Sequence, residues 1–178
     1  KRIRPLTIIY LTELLEGTKE GALHAAYGLE LFHNFSLIHD DIMDDAPLRR
    51  NNPTVYKKWN ANIAILSGDV MCINAIQYLA KSNPKYVVEI LELFNSTAIE
   101  VCEGQQLDMN FEKLDTVTID EYINMIELKT AVLLAASLKI GAVLANANQE
   151  DSNHIYEFGK NLGVAFQLMD DVLDLYGD

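Results

Sequence analysis

Hydrophobic positions recur along this chain at helical spacing, and nowhere do they alternate as a strand requires. Leu6 through Leu15 can form a first helix, with Pro5 suited to its opening turn and Glu16-Gly17-Thr18 to its end. From Glu20 to about Asp45, Ala22, Leu23, Ala25, Ala26, Leu29, Leu31, Phe32, Phe35, Leu37 and Ile38 fall on nearly every side of one long helix. A helix that is apolar all round belongs at the centre of a bundle. Further helices are predicted from Asn60 to Ala80, from Pro84 through Val88, Leu91, Phe94, Ala98 and Val101 to about Leu107, and from Asp151 to Leu175. Thr118-Ile119-Asp120-Glu121 has the form of a capping box, so another starts there and leads into the apolar run Ala131 to Ala147. That run contains Lys139 and is short for a membrane span, so it reads as a buried helix. Between Ala46 and Thr54, Pro and Asn mark a loop. The fold class is all-α.

At 178 residues and 49% hydrophobic, a single domain over 1–178 is expected. Both ends look abrupt, one inside a basic motif and the other just after an acidic one, so a longer parent protein is expected. The net charge of −12 argues against nucleic acid as a partner. Yet Lys1, Arg2, Arg4, Arg49, Arg50, Lys57 and Lys58, half of the fourteen basic residues, cluster in the first third, as a local anion site would require. Cys72 and Cys102 show neither metal-ligand spacing nor a disulfide framework, which points to a reducing cytoplasm. No signal peptide or transmembrane segment is visible.

The chemistry-bearing stretch is His39-Asp40-Asp41-Ile42-Met43-Asp44-Asp45 followed by Arg49-Arg50. Asp40 and Asp44 lie one above the other on a helix face, where like charges repel unless something neutralises them. Mg²⁺ suits such a pair, binding through one or two carboxylates and keeping positions for phosphate oxygens. The pattern returns as Asp170-Asp171-Val172-Leu173-Asp174, three residues after Gln167. Two Asp-Asp-x-x-Asp motifs with basic residues elsewhere suggest a metal–diphosphate site.

These motifs resemble those of the trans-polyprenyl diphosphate synthases, the family of farnesyl and geranylgeranyl diphosphate synthases, and the similarity runs over the whole chain. The resemblance implies an isoprenoid synthase-type helical bundle with a central cavity, a homodimer, and a prenyltransferase working with roughly three Mg²⁺ ions per site held by Asp40, Asp44 and Asp170. Asp41, Asp171 and Asp174 complete the motifs. By the same resemblance Arg49, Lys129, Thr130 and Gln167 bind the allylic diphosphate, while Lys1, Arg4, His33 and Arg50 bind isopentenyl diphosphate. Taken alone, Lys129 would snorkel to water, His33 would be a packing residue, and Lys1 and Arg4 a solvated terminus. Gly104-Gln105-x-x-Asp108 resembles a family motif near the cavity and has a supporting part; His39 is structural. The family's Gly-Gly before Lys-Arg-x-Arg-Pro is missing, as are the parts that precede and follow this stretch, and Asn51 stands where Gly is usual; Asn tolerates a left-handed backbone.

The growing chain should run down the helix from Asp40 past Ser36 and Phe32, about 6 and 12 Å away at 1.5 Å per residue, with Phe35 as its floor. With Phe35 aromatic and Ser36 small, the expected product has about fifteen to twenty carbons, leaning to twenty. A longer-chain synthase and a terpene cyclase of the same fold are the alternatives; a cyclase needs no second diphosphate grip and generally lacks the second Asp motif. A ferritin-like di-iron bundle is suggested by Glu30-x-x-His33, but its counterpart is only Asp151-x-x-His154. A non-catalytic partner subunit fits poorly with two intact motifs.

Overall fold

The computed structural model describes residues 2–177, and it is a bundle of helices. In chain order these are α1 (Ile3–Leu14), α2 (Lys19–Met43), α3 (Val55–Lys58), α4 (Ala61–Leu79), α5 (Val87–Phe111), α6 (Ile119–Ile126), α7 (Val132–Leu144) and α8 (Gln149–Tyr176). A five-residue π-helical segment, Glu127–Ala131, joins α6 to α7. Side chains cap the starts: Thr18 accepts from Gly21 N–H, Asn60 from Ile63 N–H and Asn148 from Asp151 N–H. Thr118 and Glu121 form the reciprocal capping box expected of them.

The apolar run after Ala131 becomes the centre of the molecule. Eleven of the thirteen residues of α7 are buried, and α1, α2, α5 and α8 pack around it. Thr12 ties α1 to α7, its buried hydroxyl donating to the Ile8 carbonyl at 2.8 Å and to the Gly141 carbonyl at 3.1 Å. On the other side, α2 lies along α4 and α1. Phe32 of α2 meets Phe94 of α5 edge to face, with ring centroids 5.0 Å apart.

Three features differ from expectation for identifiable reasons. α1 begins at Ile3, with Pro5 in the first turn, where a missing N–H leaves no bond unmade. α5 continues a full turn beyond Leu107, and Gln106 donates to Asn110 four residues on, at 3.0 Å, to support that turn. The loop after α2 closes into a two-residue antiparallel pair, Leu48–Arg49 with Asn52–Pro53. Its tip, Arg50 (φ 54°) and Asn51 (φ 63°), is left-handed at both positions, as a tight primed turn requires. Among the described residues no helix is long and apolar enough to cross a membrane.

Candidate active site

The last turn of α2 carries the first acidic motif into contact with the hairpin. Arg49 donates from Nε to Asp41 Oδ1 at 2.6 Å and from Nη2 to Asp40 Oδ2 at 2.9 Å. Asp41 is 4% exposed. Burial raises its pKa, Arg49 draws it down and the Asp40 charge raises it again, for a net upward shift. Asp44, the residue closing α2, is likewise raised, by burial first and then by the Asp40 charge, against the pull of Lys129.

Lys129 does not snorkel to water. Its Nζ donates to Asp108 Oδ2 at 2.5 Å and stands 3.4 Å from Asp40 Oδ1. Burial acts to lower its pKa, but the Asp108 hydrogen bond and the charges of Asp40, Asp108 and Asp44 leave it raised. Thr130, the next residue, donates to Gln167 Oε1 at 3.2 Å. Gln167 in turn donates from Nε2 to Asp171 Oδ1 at 2.8 Å, and the Tyr122 hydroxyl donates to Asp171 Oδ2. Burial and Asp171 push the Tyr122 phenol up to about 12, so it holds its proton. Two polar networks, Asp41–Arg49–Asp40–Lys129–Asp108 and Thr130–Gln167–Asp171–Tyr122, thus meet at adjacent residues of the π-helical segment.

Beneath them opens a cavity of about 250 Å³. Its walls are mostly apolar, from Phe32, Phe35, Leu37, Met43, Val101, Met109 and Leu133, with Ser36 and Cys102 among them; Arg4, His33, Asp40, Lys129 and Thr130 supply polar groups. Arg4 Nη1 lies 3.2 Å from His33 Nε2. Burial lowers the Arg4 pKa, partly offset by Glu30. Burial, then the charges of Arg4, Arg50 and Arg49, depress His33 to about 3, so it is neutral and accepts the Arg4 hydrogen bond. Phe35 packs edge-on against His39 at 4.6 Å and also touches Phe32.

Of the residues expected in the site, Arg4, His33, Asp40, Arg49, Lys129, Thr130, Gln167 and Asp171 are brought together in these networks and around this cavity. Arg50 is exposed at the turn tip, Asp170 is half-buried and Asp174 exposed on α8. Lys1 lies outside the described residues. Lys57 is engaged elsewhere, its Nζ 3.0 Å from Asp45 Oδ1. Sequence reasoning missed Tyr122 altogether and gave Asp108 no specific partner; a capped helix leading directly to Lys129 was the only trace of the former.

Among the described residues no three His, Cys, Asp or Glu side chains gather closely enough to hold a metal unaided. Glu30 and His33, the pair behind the di-iron alternative, face cations instead, Arg2 at 3.6 Å and Arg4 at 3.2 Å. A cation shared with phosphate oxygens needs only one or two carboxylates. Asp40 Oδ1 is buried without a hydrogen bond, and the Asp40 charge helps to raise the Asp44 pKa against the pull of Lys129. That donor set fits Mg²⁺ bound together with a diphosphate.

All 178 residues match the polyprenyl synthetase family. The chain belongs to that family. It is 44% identical over 177 residues to the geranylgeranyl diphosphate synthase of Methanosarcina mazei, covering 98% of this chain and 55% of the relative. It is 38% identical over 193 residues to the geranylfarnesyl diphosphate synthase of Natronomonas pharaonis, covering 98% of this chain and 57% of the relative. The crystal structure of the geranylgeranyl pyrophosphate synthetase of Pyrococcus horikoshii superposes with a TM-score of 0.96 at 42% identity, over 99% of this chain and 55% of that one. This polyprenyl synthetase chain therefore spans about half the length of the curated relatives it matches.

Proposed function

We propose that the full protein joins an allylic diphosphate to isopentenyl diphosphate, head to tail, giving a polyprenyl diphosphate of about fifteen to twenty carbons, leaning to twenty, as the distances down α2 from Asp40 suggest. The observation that carries this is the position of Lys129, 2.5 Å from Asp108 and 3.4 Å from Asp40, lining an apolar cavity walled by Phe32, Phe35 and Ser36. Arg49, Lys129, Thr130 and Gln167 would turn donors onto a bound allylic diphosphate, and their stabilisation would grow as negative charge collects on the leaving group. Mg²⁺, held by Asp40, Asp44 and Asp170, would supply further charge neutralisation when bound. The carbon–oxygen bond breaks with its electrons remaining on diphosphate. The double bond of isopentenyl diphosphate, gripped by Lys1, Arg4, His33 and Arg50, attacks the allylic cation, and a proton then leaves for the released diphosphate.

Water would quench the cation, so the apolar walls serve to exclude it. Neutral His33 can share its ring N–H with substrate while accepting from Arg4. Asp171, whose two oxygens already take hydrogen bonds from Tyr122 and Gln167, orients Gln167 rather than touching substrate.

We further infer a cytoplasmic homodimer. The two free cysteines suit a reducing compartment. α4 exposes Ile63, Leu66, Val70 and Ile73 and carries a single charge, Asp69. In a chain of net charge −12, a face nearly free of charge is where a second copy meets least repulsion. Sedimentation of the full protein with and without Leu66→Glu tests this: an unchanged dimer removes α4 from the interface.

The activity is tested by incubating full-length protein with Mg²⁺, labelled isopentenyl diphosphate and each allylic primer, then resolving products by carbon number. A twenty-carbon diphosphate dependent on Mg²⁺ is expected. Cyclised hydrocarbon in its place would overturn the reading in favour of a cyclase.

A further inference from the structure

The π-helical segment Glu127–Ala131 is where the two polar networks meet, and its composition does not explain its winding. Glu-Leu-Lys-Thr-Ala is an ordinary helical sequence. A π-turn packs an extra residue into each turn, so the backbone bulges outward and needs room among its neighbours. That room comes from glycine on both flanking helices. A Cβ on Gly104 of α5 would stand 2.2 Å from the Lys129 amide nitrogen and 2.7 Å from the Leu128 carbonyl carbon. A Cβ on Gly163 of α8 would stand 2.5 Å from Ala131 Cα and 2.7 Å from its Cβ. Alanine is the better helix former, so propensity does not account for glycine at either place. The bulge is also held from outside: Lys160, one turn before Gly163, places Nζ 3.3 Å from Glu127 Oε1.

The bulge has a consequence for side-chain direction. On an α-helix adjacent residues point about 100° apart. More residues per turn bring neighbours closer in direction, and here consecutive residues both reach the site, Lys129 to Asp108 and Thr130 to Gln167.

We propose that Gly104 and Gly163 are positioning residues, forming a two-sided socket that holds the π-turn where Lys129 and Thr130 can both bind a diphosphate, and that Lys160 latches this turn through Glu127. The proposal rests on the prenyltransferase reading. It also gives the Gly104-Gln105-x-x-Asp108 motif a physical meaning: glycine admits the Lys129 backbone, and Asp108, one turn on, receives its ammonium.

The test uses full-length protein with Gly104→Ala, Gly163→Ala and Lys160→Met. Gly159→Ala is the control, because its Cβ would stand 2.8 Å from Ala135 Cα, a comparably close approach to α7 away from the bulge. Binding of inorganic diphosphate with Mg²⁺ is measured by calorimetry, turnover as separate kcat and KM values, and amide exchange across 128–132. Gly163→Ala and Gly104→Ala are expected to lose about a hundredfold in kcat, the effect of displacing an aligned group by an ångström. Their KM for isopentenyl diphosphate should not change. Lys160→Met, which disturbs no core packing, should weaken diphosphate binding by about three- to fivefold and speed exchange in the π-turn. Gly159→Ala should melt earlier with kcat intact.

If a glycine variant fails to fold, Lys160→Met decides, and wild-type affinity and exchange there would overturn the proposal. Equal loss of kcat in Gly159→Ala and Gly163→Ala would overturn it too, since packing in general would then be responsible. A wild type that binds no magnesium diphosphate overturns the functional reading and the positioning role with it. Wild-type binding matched by every variant overturns the positioning role alone.

Discussion

Replacing Lys129 with methionine removes the cation between two carboxylates while keeping the length of the side chain. The Lys129, Asp108 and Asp40 side chains are 26%, 31% and 17% exposed. Because the partners raise the lysine pKa, the stabilisation is complete below the ordinary lysine value and is lost only as pH climbs through the higher folded one. At neutral pH it acts in full. Breaking a fully buried pair costs about 3–5 kcal/mol; with a quarter or so of these groups still in water, about 1–2 kcal/mol is expected here. At about 1–2 °C per kcal/mol for a full-length protein about twice this long, the melting temperature should fall by roughly 1–4 °C. Scanning calorimetry in EDTA measures the fall. Added Mg²⁺ should then raise the variant further than wild type, since the carboxylates have lost their internal cation; a tenfold tighter Kd is worth about 1.4 kcal/mol at saturation. A variant as stable as wild type in EDTA, with an equal Mg²⁺ increment, would refute the idea that Lys129 neutralises this cluster.

Phe35→Ala should lengthen products beyond twenty carbons, read by chromatography; an unchanged profile would mean that Phe35 is not the floor. His33 titrates near 3 when folded against an ordinary 6.5, so the unfolded chain binds the extra proton between those values. Its contribution to stability is present above pH 6.5 and is lost progressively down to about 3. His33→Gln should therefore flatten that part of the stability–pH curve, measured by denaturant melts at stepped pH. Asp40→Asn should lower Mg²⁺-dependent kcat by at least about 10²–10³, as loss of transition-state charge stabilisation does elsewhere, in steady-state assays with full-length protein.

The helices were legible because their apolar spacing is regular, and the caps because Thr118 and Glu121 stand at the right offset. The hydrophobic run after Ala131 announced its own burial. What escaped is tertiary in origin. The π-turn depends on clearance at Gly104 and Gly163, which lie distant in sequence and look like unremarkable small residues within helices. Tyr122 reaches Asp171 across 49 positions, and no local pattern encodes that meeting. Lys129 reads as a snorkelling cation until Asp108, 21 positions earlier, is brought beside it. The roles of Arg4 and His33 rested on family resemblance; their 3.2 Å approach joins two helices that sequence spacing alone leaves unrelated.

The grip of Arg49 on Asp40 and Asp41 bears on the order in which ligands arrive. Without substrate, the protein keeps its own cation on Asp40, one of the carboxylates that the proposed metal would use, so a metal arriving alone would compete with a tethered guanidinium. A diphosphate arriving alone meets carboxylates that repel it and an arginine already engaged. On the proposed function, Asp40 would hold the metal once both are bound, and Arg49 would be freed for phosphate. The two ligands would then be thermodynamically linked, each raising the affinity of the other by the same factor. On this reading Arg49 is a placeholder whose displacement would make loading cooperative.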